Sequence, residues 1–208
     1  MRNIVIQNLF ISIISKILSF MSFLYVAREL SKSEYGVYVY IGMCLSLLPL
    51  LHLGSMHGTV VLLPKKIAGK NNSEVDLFWV YNSFSLCIRA LSVFALFFLE
   101  GRLKGSIVLM IALGAWLSQY VENTQVLLGA KLEFFKQNLI RVVDEVLRPL
   151  LILCFFVMNK SVEALFVAST VTAFLAFLVA LCFIRPYFKC LNLATYGAVL
   201  QEIYRIGF

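Results

Sequence analysis

Charge is what this sequence has least of. Only 14% of its 208 residues are Asp, Glu, Lys or Arg, 61% are hydrophobic, and the mean hydropathy is +0.90. A water-soluble domain needs more polar surface than this, and that class is excluded. Histidine occurs only as His52 and His57, five residues apart, a separation that does not aim two imidazoles at one metal from one helix face; they read as packing or kink residues. The cysteines, Cys44, Cys87, Cys154, Cys182 and Cys190, have no paired spacing and no accompanying histidine, so neither a disulfide framework nor a zinc site is indicated. No nucleophile stands with a base, and the adjacent Asp144 and Glu145 are flanked by arginines, which favours internal ion pairing over metal binding. The reading is of a protein without a catalytic set, metal or cofactor. The ten-residue alternation of an outer-membrane barrel is missing too.

What is present is a series of long apolar runs, at 4–26, 37–63, 77–99, 106–128, 139–158 and 162–184. About 20 apolar residues cross a bilayer as a helix, so the expected fold is all-α and polytopic, with six transmembrane helices in residues 1–190. The first run is too long for a signal peptide and no small-residue cleavage site follows it. Ser31 and Glu34 have the spacing of a capping box at the start of the second helix. Pro49 predicts a kink in that helix, and Gly54 with Gly58 a close approach by a neighbour. A polar loop is expected from Pro64 to Asp76 and a basic-aromatic loop from Lys131 to Asn138. The apolar core of the fifth run, 149–158, is short, so that helix is expected to start near Leu139, which puts Arg141, Asp144, Glu145 and Arg148 on one face. Residues 191–208 suit a cytoplasmic or interfacial helix. Eleven Lys and Arg fall in loops on one side against five on the other, with Lys16 and Arg89 inside the spans. By the positive-inside rule both ends are cytoplasmic.

The spans carry polar stripes. Asn8, Ser12, Ser15, Ser19 and Ser22 recur at steps of four, three, four and three, with Lys16 beside them at mid-span. Such steps keep to one helix face. Serines alone would act as glue between helices. A cation at mid-membrane is costly unless it faces protein or water, so Lys16 points to a bundle interior or a wet cavity. The third span repeats the design with Asn82, Ser85, Arg89 and Ser92, and the fourth carries Ser118, Gln119, Glu122 and Gln125. Lys16 and Arg89 are the candidate binders of an anionic group such as a diphosphate, with Ser12, Ser19, Asn82 and Gln119 as polar lining. Glu122 is open to two roles, an ion pair with Arg89 or uptake of a coupling proton or sodium ion; Asp144 and Glu145 are open to the same two. The basic residues lie between apolar runs rather than in one patch, so no nucleic-acid partner is expected.

The stretch Arg28-Glu-Leu-Ser-Lys-Ser-Glu-Tyr-Gly-Val-Tyr38 resembles the R-x-L-x-x-x-x-Y-G-x-Y turn of the O-antigen and polysaccharide flippases, within the multidrug/oligosaccharidyl-lipid/polysaccharide exporter superfamily. Leu53-Gly-Ser-Met-His-Gly58 and the Lys131 to Arg148 region resemble further segments of that family. The resemblance implies one lobe of a two-lobe bundle in the bacterial inner membrane, which flips undecaprenyl-diphosphate-linked oligosaccharide units for surface polysaccharide. It also implies Lys16 and Arg89 as anion contacts. The family has about twelve spans, so a truncated product, a fragment, or a half that pairs with a second six-helix lobe or a second copy is expected, with residues 191–208 as the lead-in. Polysaccharide assembly proteins and membrane lipids are the other implied partners. A cation-coupled multidrug exporter lobe and a non-transporting scaffold for polysaccharide assembly are the alternatives.

Overall fold

The computed structural model describes residues 2–47, 55–68, 73–99, 105–185 and 193–207, and among these it is helical with no strand. In chain order the helices are α1 (Arg2–Glu29), α2 (Lys32–Leu47), α3 (Ser55–Ala68), α4 (Ser73–Leu99), α5 (Gly105–Ala130), α6 (134–158), α7 (Val162–Ile184) and α8 (Leu193–Gly207). Two stretches of the described residues, Ile6–Glu29 and Val162–Ile184, are long and apolar enough to cross a membrane. Pro49, His52, Gly54 and Cys190 lie outside the described residues, as do the side chain of His57 and the centre of the second apolar run.

Local chemistry sets several of the boundaries. At the head of α2 the Glu34 amide donates to Ser31 Oγ at 3.3 Å and the Ser31 amide to Glu34 Oε2 at 3.4 Å, the reciprocal box that the spacing predicts. Ser161 accepts from the Ala164 amide at 3.2 Å and starts α7. Two expected loops are shorter than the sequence suggests. α3 continues through Pro64 to Ala68, because its last turns are held by α8, with Lys66 Nζ 2.9 Å from Glu202 Oε2. α6 begins at Phe134 rather than near Leu139, because the turn after α5 closes within Lys131 to Glu133. α8 packs one face on the bundle, where Ile203 is fully buried and belongs to the core.

The buried apolar residues form two clusters. One gathers Leu63 of α3, Phe78 and Tyr81 of α4, Leu127 and Leu128 of α5, Ile140 of α6, Ile184 of α7 and Ile203 of α8. The other gathers Val26 of α1, Ile41 of α2, Ile107 of α5, Phe156 of α6 and Leu165 of α7. α5 and α7 run through both, each with its N-terminal end in the second cluster and its C-terminal end in the first, so the two are parallel. Gly114 lets them approach, since a Cβ there would meet Thr170 Oγ1 at 3.1 Å, and that hydroxyl also reaches the Met110 carbonyl at 3.0 Å.

α1 lies at the margin, with only 11% of its most apolar window buried, and Leu9, Phe10, Ile13, Ile17 and Phe20 exposed. Its polar stripe is what joins it to α6. That helix contains a π turn, Val142–Val146, closed by the Leu147 amide on the Val142 carbonyl, followed by Pro149. Proline has no N–H for the carbonyl four residues back, which is that of Glu145. Ser15 Oγ donates to this carbonyl at 3.1 Å, and Ser22 Oγ donates to the Pro149 carbonyl at 3.0 Å. The serines are therefore helix–helix glue with a specific task, each bond being worth about 0.6 kcal/mol between helices in lipid.

At the opposite end from α8, Lys160 Nζ stands 2.5 Å from Glu29 Oε2 and clasps the α6–α7 turn to the end of α1. Lys160 holds the Glu29 carboxyl below its ordinary 4.5, and Glu29 holds the lysine above its ordinary 10.5. The clasp is thus lost as pH falls through the lowered carboxyl pKa or rises through the raised ammonium pKa. The thermal midpoint of Glu29→Gln should fall below the parent's at neutral pH and converge with it at both extremes; a difference independent of pH would contradict the clasp. A second test concerns Gly58, where a Cβ would lie 2.1 Å from the Ile203 carbonyl oxygen. Gly58→Ala should destabilise by about 2–3 kcal/mol in detergent, the upper range for overpacking. Because the clash is with backbone, trimming Ile203 should not rescue it. Gly36→Ala, with nothing within 4 Å, should be neutral.

Candidate functional site

The polar faces of α4 and α5 meet in a buried ladder. Arg89, 5% exposed, donates from Nη2 and Nε to Gln119 Oε1, at 2.6 and 3.0 Å. Gln119 Nε2 donates to Asn123 Oδ1 at 2.9 Å, and Asn123 Nδ2 donates to Asn82 Oδ1 at 2.9 Å and Ser85 Oγ at 2.7 Å. Each residue sits three or four positions from the next on its own helix, so side chains of both helices interleave along one seam. Arg89 Nη2 also lies 3.7 Å from Glu122 Oε2, the pairing that the sequence leaves open. The two partners differ in setting: the Arg89 side chain is 6% exposed and that of Glu122 47%.

Glu122 projects into a cavity of about 710 Å³ between α2, α4, α5, α6 and α7. Arg89, Ser118 and Arg148 share its wall, with Tyr38 and Phe23 at one side. Arg148 forms a short ion pair with Asp144, and its Nη2 reaches Ser118 Oγ at 3.5 Å. Its buried Nε has no hydrogen-bond partner. The same arginine, with Tyr38 and Phe23, borders a second cavity of about 340 Å³ against Ser19 and Ser22 of α1. Two guanidiniums and one half-exposed carboxylate therefore converge at the wall of the larger cavity, and Arg148 also borders the smaller one. Such a site suits an anion with several oxygens, which planar guanidiniums bind in pairs of hydrogen bonds.

The structure distributes the expected site residues unevenly. Arg89 and Glu122 come together at the cavity. Asn82 and Gln119 lie behind Arg89 in the ladder and do not line the space. Ser19 borders the smaller cavity. Ser12 is taken by Arg141, whose Nη2 donates to it at 3.0 Å while its Nε reaches Glu145 Oε1 at 2.8 Å. Asp144 and Glu145 are thus each paired four residues away, with Arg148 and Arg141. Lys16 is exposed on α1, four residues after Ser12 and three before Ser19, and does not line either cavity. Two participants carry less weight in the sequence than in the structure. Asn123, four residues after Gln119, is the hinge of the ladder, and its spacing is the signal for it. Arg148 reads as half of an ion pair, which it is, but it also faces both cavities. Among the described residues no three His, Cys, Asp or Glu gather in a way that could hold a metal.

Because Gln119 fixes a buried charge, Gln119→Leu should cost about 2–3 kcal/mol of stability in detergent. The double variant Arg89→Leu/Gln119→Leu should recover part of that loss, since no guanidinium is stranded in the seam and Glu122, which loses its partner, is half-exposed. A Gln119→Leu protein as stable as the parent would contradict the ladder. Compared with protein-family models, with curated proteins and with solved structures, the chain gives no match.

Proposed function

We propose that the chain is a membrane-embedded half-transporter that moves lipid-linked oligosaccharide, carried on a polyprenyl diphosphate, across the bacterial inner membrane for surface polysaccharide synthesis. The single observation behind this reading is the 710 Å³ cavity on which Arg89, Glu122 and Arg148 converge. In an apolar bundle, charged groups facing a cavity mark a pathway for a polar substrate. Here the two arginines are the anion contacts and Tyr38 and Phe23 offer flat apolar faces to a sugar. Lys16, exposed on α1 one turn before Ser19, is proposed as a further cation for the same anionic group.

On this reading all six apolar runs span, α2 and α3 forming the second, with both termini cytoplasmic. The Arg28 to Tyr38 resemblance supports the same family of substrates. Glu122 and Asp144 occupy the arginines until the diphosphate arrives, so proton or cation uptake by either carboxylate would free a guanidinium for substrate. Glu145, held by Arg141, is the remaining carboxylate open to such coupling. A second six-helix lobe, or a second copy, would close the other wall.

In an active, complete transporter, Arg148→Gln should cut export of surface polysaccharide at least tenfold at normal membrane abundance, with Arg148→Lys partly active. The double change Lys16→Ala/Arg89→Ala should abolish export. Unchanged export in Arg148→Gln would reject the anion-contact role. Resistance to cationic drugs conferred by the parent would instead favour the exporter reading.

A further inference from the structure

The larger cavity has two unlike ends, and α5 measures the distance between them. On that helix the lining steps from Met110 and Ile111 through Gly114 and Ala115 to Ser118 and Glu122, all on one face. Both arginines are tied to the level of Ser118, Arg89 through Gln119 and Arg148 through Ser118 itself. Met110 precedes Ser118 by about 12 Å along the axis, at ~1.5 Å per residue. The charged groups therefore occupy one end of the cavity and leave the other to different chemistry.

That other end is apolar. Val39 and Met43 of α2 and Phe166 of α7 join Met110 and Ile111 there. α2 is anchored at this end, since Ile41 and Leu45 pack into the second apolar cluster with Ile107 and Ile111. Ser169 and Thr170 stand beside Gly114, and the Thr170 hydroxyl is taken up by the Phe166 and Met110 carbonyls at 2.8 and 3.0 Å. An apolar wall of this kind holds hydrocarbon in preference to water, and methionine side chains adapt to a flexible chain. A charged end continued by an apolar end within one cavity is complementary to an anionic head that carries a hydrocarbon chain.

We propose that the apolar end holds the first part of the prenyl chain that follows the diphosphate, so that this cavity takes both the head of the lipid and the start of its tail. The phosphates meet Arg89 and Arg148, and the chain lies against Met110, Ile111 and Phe166. The inference rests on the proposed recognition of a polyprenyl diphosphate, and the test separates the two claims. Dimethylallyl diphosphate and farnesyl diphosphate share a head and differ in chain length. Their affinities are measured for the full chain in lipid nanodiscs, each variant against the parent for the same ligand, so that partition into the disc cancels. Gly42 lines the cavity and a Cβ there meets nothing within 4 Å, so Gly42→Phe places a ring in open space. It should weaken farnesyl diphosphate at least about tenfold, the loss expected from roughly two buried CH₂ groups, and dimethylallyl diphosphate less than about twofold. Met110→Gln, which adds polarity with little change of shape, should show the same selectivity. Arg148→Gln should weaken both ligands alike.

If Gly42→Phe and Met110→Gln weaken both ligands equally, or neither, the chain site is overturned and the arginine site stands. If the parent binds neither ligand, or Arg148→Gln changes neither affinity, both claims fall. A direct measurement covers the case of a variant that does not fold. In the parent, a farnesyl diphosphate analogue with a diazirine at the chain end should label residues of α2, α5 or α7 that line the cavity. Label confined to the exposed Ile13 and Ile17 of α1 places the chain outside the cavity and overturns the proposal. An excess of lysophosphatidylglycerol should leave the labelling intact; its suppression would make the apolar end a site for membrane lipid and overturn the assignment to substrate.

Discussion

A guanidinium held inside an apolar bundle needs fixed acceptors, and at Arg89 these are supplied mainly by one amide oxygen of Gln119. Gln119 is oriented by Asn123, and Asn123 by Asn82 and Ser85, so the charge is held by a chain of neutral dipoles across the α4–α5 seam. The arrangement leaves Glu122 only loosely engaged, at 3.7 Å and half in the cavity. A salt bridge as the main anchor would have neutralised the site. Amide anchoring fixes the Arg89 guanidinium independently of Glu122, so on the proposed reading that carboxylate can leave it without unseating the arginine.

The second organising contact is between α1 and α6. A helix interrupted by a π turn and a proline exposes carbonyls that lipid cannot satisfy. Ser15 donates to one such carbonyl, that of Glu145, Ser22 adds a bond to the Pro149 carbonyl, and Asn8 and Ser12 receive the Arg141 guanidinium. The charged start of α6 is thereby kept close to the apolar body of the molecule, and Arg148, two residues beyond the π segment, is brought to the wall of both cavities. The irregularity of α6 and the serine stripe of α1 are two sides of one solution.

How much of this is legible in the sequence depends on the range of the interaction. α7 occupies the residues that hydropathy marks, because length, apolarity and a Ser161 cap agree locally. The capping box at Ser31 is legible for the same reason. Pro64 misleads, since its local preference for ending a helix is outweighed by packing of α8 against α3. The start of α6 misleads because a left-handed leucine closes the preceding turn where no glycine signals it. At the candidate site, depth along a helix is readable and rotation about the bundle axis is not. Lys16 and Arg89 have similar sequence credentials, yet Arg89 faces the cavity while Arg148, read as one half of an ion pair, takes the place beside it.

The central claim is that the cavity arginines recognise a diphosphate. Its most direct measurement is the affinity of the purified protein in lipid nanodiscs for a short-chain polyprenyl diphosphate compared with the corresponding monophosphate, each titrated at several salt concentrations. The account predicts tighter binding of the diphosphate, weakening as salt rises, and a loss of at least tenfold when Arg148 becomes Gln. Equal affinity for the two lipids, or an affinity unaffected by Arg148→Gln, would contradict it.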